Sequence, residues 1–337
     1  MEKKILSIVV PAYNVEAYLE KCLESFAEAS VMSKIEVLIV NDGSKDGTSD
    51  IAKKYCEKYP DTYKLYNKVN GGHGSTINYG IQYATGKYFK VIDGDDWINR
   101  EKLPEYIEML GRADTDAVAS NYLCIRDETY EVLQEKKCTS NVAHFGKTLS
   151  FANGEVQEVI KMHALTIKTE ILQNNNIAID EKMYYVDAEY ITFPIPYVDT
   201  VYYYDEFIYM YRLGRSGQSV NIKSMQKNRE QHMTVLNNLL QFYKENFVEK
   251  EDTTKLFESR KVYVEKCIAQ LVENQFQIYI SMGLQKGIYR ELKEWDRSLK
   301  KMYPGIYRAT AKKSISLLRA TNYLILPVGA VVYSVIK

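Results

Sequence analysis

The stretch Tyr88-Phe89-Lys90-Val91-Ile92-Asp93-Gly94-Asp95-Asp96-Trp97 joins a short β-forming run to three carboxylates within four residues. At the end of a buried strand such like charges repel one another, and their cost is tolerable only where water or a cation reaches them. Carboxylates of this kind suit Mg²⁺ or Mn²⁺, ions that bind through one or two acids together with substrate phosphates. A polar turn with Asp95 or Asp96 capping a helix near Arg100 is the plainer alternative.

Outward from this stretch, the preceding chain alternates strand and helix. Ile5 to Val10 is a continuous, largely β-branched run closed by Pro11, as expected of a strand buried on both faces. Leu19, Leu23 and Phe26 recur at helical spacing, and Glu36 to Val40 forms a second buried run ending in Asn41-Asp42-Gly43-Ser44. A helix opens near Asp46 to Thr48, Tyr63 to Tyr66 reads as a strand, and Ser75 to Ala84 as a helix before the Tyr88 run. This order implies an α/β fold with an open, mostly parallel sheet, whose ligands sit beyond the carboxyl ends of the strands. Pro11 to Asn14, Asn41 to Ser44 and Asp93 to Asp96 are therefore expected to line one crevice.

Composition narrows the chemistry. Across 337 residues, 44 basic and 44 acidic side chains cancel, so no global field points to nucleic acid. The five cysteines are odd in number, scattered, and never spaced as C-x-x-C, against a disulfide framework or a zinc site. The apolar run at Ile5 is too short for a signal peptide, and the chain reads as cytosolic. Neither G-x-G-x-x-G after the first strand nor G-x-x-x-x-G-K-[ST] is present, so a nucleotide would be held differently. Asp42 is placed to accept from an imide N–H of a uracil-like base and Tyr13 to pack on its ring, unless they are a turn and a surface aromatic. Gly71-Gly72-His73-Gly74 precedes a helix whose first amides are suited to phosphate, although a flexible connection looks the same. His73 itself reads as structural or solvent-facing, for want of a paired ligand spacing.

With these pieces in place, residues 5 to 115 resemble the nucleotide-binding half of the family 2 glycosyltransferases of GT-A fold. The resemblance rests on SIVVPAYNVEAYLEKCLES, EVLIVNDGSKDGT and NGGHGSTINYGIQYATGKYFKVIDGDDW, in that order. It implies Pro11, Ala12, Tyr13 and Glu16 around the nucleoside, Asp42 on the base, and Asn70 and Gly71 in the donor site. It further implies Asp93 near ribose or metal, Asp95 as the principal ligand of a D-x-D signature, and Asp96 beside it. Thr76-Ile77-Asn78 stands where the family often has Ala-Arg-Asn, so an arginine contact is missing.

Sugar transfer also needs a base on the acceptor hydroxyl. Met183 to Tyr190 resembles the family's E-D-x-E/D segment, with Val186 replacing the first acid, and the resemblance implies Asp187 as base with Glu189 as second choice. Both acids on the solvent face of a helix is the alternative. Val201 to Tyr204 and Ile208 to Arg212 read as a hairpin around Asp205-Glu206. The Arg212 to Ser219 loop resembles one that closes over a diphosphate, with Arg215 forking onto its oxygens; an ordinary surface loop fits too.

Past Lys223 the apolar spacing becomes helical. Residues 1–220 are thus expected to form the GT-A domain, with a nucleotide-binding half at 1–115 and an acceptor half at 116–220, and residues 221–337 a helical region. Its apolar tail, Ala320 to Ile336, follows basic residues and reads as an interfacial anchor, with a short span and a packed helix as rivals. The expected activity is inverting transfer from a nucleotide-diphospho sugar, a UDP-sugar foremost, to a lipid-linked or growing surface or cell-wall polysaccharide at the inner face of the membrane. Nucleotidyl transfer and non-catalytic carbohydrate binding are the alternatives.

Overall fold

A computed structural model describes residues 3–215, 218, 221–283, 285–329 and 331, so most of the apolar tail beyond 329 lies outside the described residues. The chain divides into two compact units, Met1–Arg215 and Ser216–Lys337.

The first unit begins with β1 (Leu6–Ala12), α1 (Glu16–Glu24), β2 (Ile35–Asn41), α2 (Thr48–Lys58), β3 (Tyr63–Asn67), α3 (His73–Tyr83) and β4 (Tyr88–Val91). The largely apolar β1 and β2 are buried at every position, Ser7 and Glu36 included, because each strand has a parallel neighbour on both edges and helices on its faces. The sheet order β3-β2-β1-β4 places the β1, β2 and β4 exits side by side. Leu19, Leu23 and Phe26 close the core on one face of this sheet together with Tyr55 and Tyr63. The helix expected near Arg100 starts later: β5 (Trp97–Ile98) intervenes before α4 (Leu103–Arg112), so neither Asp95 nor Asp96 caps it.

The sheet continues through β6 (Ala117–Arg126), its antiparallel partner β7 (Val132–Lys136), β8 (Thr148–Ser150), β9 (Leu165–Lys168), α5 (Thr169–Asn174), α6 (Asp187–Thr192) and β10 (Thr200–Leu213), in the order β4-β9-β6-β10-β5. It is parallel along β3-β2-β1-β4 and mixed beyond, with helices flanking it. The hairpin expected around Asp205-Glu206 is instead one strand. β10 stays parallel to β6 throughout and absorbs those two residues as an irregularity, where Asp205 accepts from Asn121 Nδ2 at 2.9 Å and pairs with Lys137 Nζ at 2.7 Å.

The second unit is helical: α7 (Ile222–Lys227), α8 (Arg229–Tyr243), α9 (Lys255–Ser281), α10 (Ile288–Met302), α11 (Pro304–Ala309) and α12 (Lys313–Ala320). Leu236, Leu239 and Leu240 of α8 are buried with Val264, Ile268, Leu271 and Phe276 of α9, as their spacing implies; Val262 faces outward. No helix of the described residues is long and apolar enough to cross a membrane.

Candidate active site

The acids at the exit of β4 are held in three different ways. Asp93 Oδ1 lies 2.7 Å from His73 Nε2 at the start of α3. Asp95 pairs with the Arg215 guanidinium at 3.1 Å. Asp96 is buried, accepting from Tyr209 Oη at 2.6 Å and from the Arg212 amide at 2.7 Å. The Arg212 side chain donates to the Asp95 carbonyl at 2.6 Å and pairs with Asp127 at 2.8 Å, so the end of β10 is laced to the acidic turn. The repulsion anticipated from three adjacent carboxylates is thus partly offset by side-chain cations and donors of the chain itself.

Their titration follows from these partners. Burial raises Asp96 well above the usual carboxylate range, the neighbouring Asp95 and Asp93 charges add to it, and its two donors only partly oppose the rise. Asp95 is raised for the same first reason, burial, with the Asp93 charge next and Arg215 opposing. For Asp93 burial also pushes up, but the His73 imidazole prevails and holds it below its ordinary value. His73 in turn loses to burial yet is raised overall by Asp93, Asp187 and Asp95. His73, expected to be structural or solvent-facing, is part-exposed and in addition bonds a carboxylate of the cluster.

A second loop is docked against α3 by its glycines. A Cβ at Gly72, where φ is +82°, would stand 3.1 Å from Lys182 Cα, and one at Gly74 would run into the Asp180 carbonyl oxygen. In their absence the segment 179–183 closes on the helix start: Lys182 N donates to the Gly71 carbonyl at 2.5 Å, and Asn78 exchanges two 2.8 Å hydrogen bonds with the Ile179 backbone. Lys182 (φ +58°) and Tyr185 (φ +69°) adopt the left-handed conformation to make the turn into α6. Asp187, first residue of α6, is exposed, and its charge acts on both His73 and Tyr211, the same two side chains on which Asp93 and Asp95 act.

Glu189 does not join them. It is fully buried, its Oε2 accepts from the Asp180 amide at 2.8 Å, its Oε1 has no hydrogen-bond partner, and burial lifts its pKa to about 8. A carboxyl that stays protonated at neutral pH and does not reach the cleft is no base for an acceptor, which corrects its assignment as second choice.

Around the β1 and β2 exits, Pro11 and Ala12 are buried in β1 and Tyr13 is 51% exposed. Glu16 accepts from the Gly47 amide at 2.8 Å. Asp42 is almost wholly engaged within the protein. It takes Lys68 Nζ and the Gly71 amide on Oδ1 and the Gly72 amide on Oδ2, each at 2.8 Å, while Asn70 Nδ2 donates to its carbonyl at 2.9 Å. Oδ1 also takes the Ser75 hydroxyl at 3.4 Å, whereas Oδ2 meets only the Gly72 amide and, with two acceptor positions on a carboxylate oxygen, has room for an outside donor. Sequence reasoning reached Asp42, Asn70 and Gly71 but not Lys68 or Ser75, which complete this knot.

Among the described residues, Asp93, Asp96 and His163 can each offer one ligand atom within 4.8 Å of the others. His163 was not reachable from sequence, since Lys161-Met162-His163-Ala164 carries no motif. Its ring is boxed by Tyr122, Tyr209 and Tyr211, its Nδ1 has no partner, and burial lowers its pKa to about 4, so the imidazole is neutral and available as a ligand. Two carboxylates and an imidazole fit a divalent ion such as Mn²⁺. Asp95, expected as principal ligand, is outside this trio and faces Arg215; an ion carrying substrate phosphates would find Asp93 and Asp95 on the more exposed side, while Asp96 already spends both oxygens on the protein.

Three comparisons bear on this site. Residues 7–169 match the model of Glycosyl transferase family 2. The putative glycosyltransferase EpsH of Bacillus subtilis (strain 168) is 30% identical over 219 residues, 60% of this chain and 61% of that one. The minor teichoic acid biosynthesis protein GgaB of the same organism is 39% identical over 94 residues, 28% of this chain and 10% of its own length. The chain thus spans less than two thirds of either relative. Among solved structures, S. aureus TarS 1-349 in complex with UDP-GlcNAc superposes with a TM-score of 0.62 at 19% identity, covering 97% of this chain and 88% of that 1-349 chain, and so shares its fold.

Proposed function

We propose that the chain, which matches Glycosyl transferase family 2 over residues 7–169, is an enzyme of that family and transfers a hexosyl or N-acetylhexosaminyl group, with inversion, from a UDP-sugar to a hydroxyl of a lipid-linked or growing surface polysaccharide. One observation supports the reading: the Asp187 charge bears on His73 and Tyr211 together with those of Asp93 and Asp95, as expected of a proton acceptor and a cation-holding pair that share one cleft. The UDP-GlcNAc complex of TarS and the teichoic acid role in the name of GgaB support the donor and the acceptor class.

In this scheme Pro11, Ala12, Tyr13 and Glu16 border the nucleoside, Tyr13 lies on the base, and the open position on Asp42 Oδ2 meets an imide N–H. Asn70 and Gly71 shape the floor through their bonds to Asp42. Asp93 and Asp95, backed by Asp96 and His163, would hold Mg²⁺ or Mn²⁺, which would supply Lewis-acid stabilisation of a leaving diphosphate. Arg215 releases Asp95 as the diphosphate arrives and forks onto its oxygens, exchanging one anion for another. Asp187 takes the proton of the acceptor hydroxyl as that oxygen attacks the anomeric carbon from the face opposite the diphosphate; one C–O bond forms, one breaks, and UDP departs. The assembly works at the inner face of the cell membrane, where such acceptors are built.

The test is turnover and binding measured side by side. Asp187→Asn lowers the rate of UDP release by about a hundredfold to ten-thousandfold, the span of a lost general base, while Mn²⁺-dependent UDP binding by calorimetry stays within a factor of two to three. Equal loss of binding and turnover, or no loss of turnover, removes Asp187 from the reaction.

A further inference from the structure

The last 41 residues, Arg297 to Lys337, contain eight Lys and Arg and no Asp or Glu. Since the whole chain balances at 44 of each sign, residues 1–296 hold 36 basic side chains (44 less 8) against all 44 acidic ones. A neutral protein therefore conceals a segment of charge +8 and a remainder of −8.

The structure shows how this segment is fixed. Asp296, the last acid, is fully buried and taken by Arg319, which donates to both its oxygens at 2.9 and 2.8 Å and to the Tyr307 and Thr310 carbonyls. The Arg319 guanidinium lies 3.7 Å from the centre of the Tyr307 ring, and Tyr323 Oη adds a 2.6 Å bond to Asp296. These bonds bind α12 and the chain after it to α10 and α11. What they leave outside is of one kind. Arg297, Lys300, Lys301, Arg308 and Lys313 are exposed, and none of them meets a carboxylate at ion-pair distance among the described residues; Lys312 meets Glu273. The same segment exposes five apolar side chains among the described residues, Met302 at 58%, Leu317 at 55%, Leu324 at 71%, Val328 at 63% and Val331 at 50%.

We propose that this segment of the C-terminal unit docks on an anionic lipid surface. Ammonium groups interleaved with exposed aliphatic chains match the boundary between lipid headgroups and acyl chains, where the first meet phosphate and the second leave water. A polyanion such as RNA would answer the charge but give Leu317, Leu324 and Val328 nothing to enter. The Arg319–Asp296 clamp holds α12 in place beforehand, so docking needs little new ordering. The −8 remainder is repelled by the same lipid, which confines attraction to this segment.

The experiment uses the full chain, sedimented with vesicles of about one-third phosphatidylglycerol in phosphatidylcholine, or of phosphatidylcholine alone, in about 0.1 M salt. The expected result is partition onto the anionic vesicles only, fading as salt rises. K300Q/K301Q/K313Q lowers that partition by roughly a hundredfold, about fivefold for each charge removed, and L324S/V328S lowers it by roughly tenfold. All five positions are exposed, so a melting curve confirms that each variant folds. Hydrolysis of a UDP-sugar without vesicles is unchanged by either variant, which separates this proposal from the transfer reaction. No partition onto anionic vesicles, equal partition onto both kinds, partition indifferent to the lysines, or binding to an RNA oligomer in place of vesicles overturns it.

Discussion

Asp93-Gly94-Asp95 and Asp187-Ala188-Glu189 place two acids at the same spacing, and the fold puts them to opposite uses. The first pair leaves β4 in a turn, stays part-exposed, and meets the His73 imidazole and the Arg215 guanidinium. The second begins α6, where residues two apart point to different sides of the helix. Asp187 consequently faces out, while Glu189 enters the core, meets an amide in place of a cation, and keeps its proton. Spacing fixes which acids are neighbours in sequence; the local backbone decides which of them are neighbours in space.

The comparison breaks first at Asp95. If the exposed pair holds the ion, Asp95→Asn weakens Mn²⁺-dependent UDP binding by at least about ten- to a hundredfold, no less than losing a group that only supports a ligand, and sets Arg215 free of its partner. His163→Asn then has a smaller effect, because it leaves Asp93 and Asp95 intact. Calorimetric titration of UDP with and without Mn²⁺ reads both. A larger loss at His163 than at Asp95 transfers the ion to the trio of Asp93, Asp96 and His163.

The second test concerns Glu189 and pH. Its folded pKa of about 8 lies above that of an unfolded glutamate, so the native state holds a proton that the unfolded chain gives up above about pH 4.3. Its contribution to stability is whole below that pH and declines as pH rises toward 8, by up to a few kcal/mol. Glu189→Gln keeps the shape and removes the titration. The urea midpoint of the variant relative to the parent rises between about pH 5 and pH 8; a constant difference across that range means that Glu189 is ionised in the fold.

What could be read from the residues alone divides along the same line. The runs of β1 and β2 are buried at every position and, Ser7, Glu36 and Asn41 apart, apolar because both faces are covered, so strand, helix and the polar exits could be located from composition. The acids at those exits announce themselves by being out of place next to such runs. His163 sends no such signal: its importance comes from three tyrosines of β6 and β10 that the sheet folds around it. The Arg215–Asp95 pair spans 120 residues, and Asp205-Glu206 looks like a turn until Asn121 and Lys137 hold Asp205 within the strand. Each of these depends on a partner remote in sequence, which periodicity cannot report.

The smallest effect sharpens the account of how Asp187 reaches the cleft. Asn78 is the side chain that ties α3 to the segment leading into α6, through both the N–H and the carbonyl of Ile179. Asn78→Ala loses two hydrogen bonds of ordinary strength, about 2 kcal/mol in all, without touching Asp93, Asp95 or the Asp42 knot. If this tie positions the base, UDP binding is unchanged while transfer falls severalfold, and Asn78→Asp, which retains only the acceptor for the Ile179 amide, recovers part of the rate. A variant that loses stability yet transfers at the parental rate shows that the glycine contacts of Gly72 and Gly74 are sufficient to seat the loop, and that Asn78 serves the fold alone.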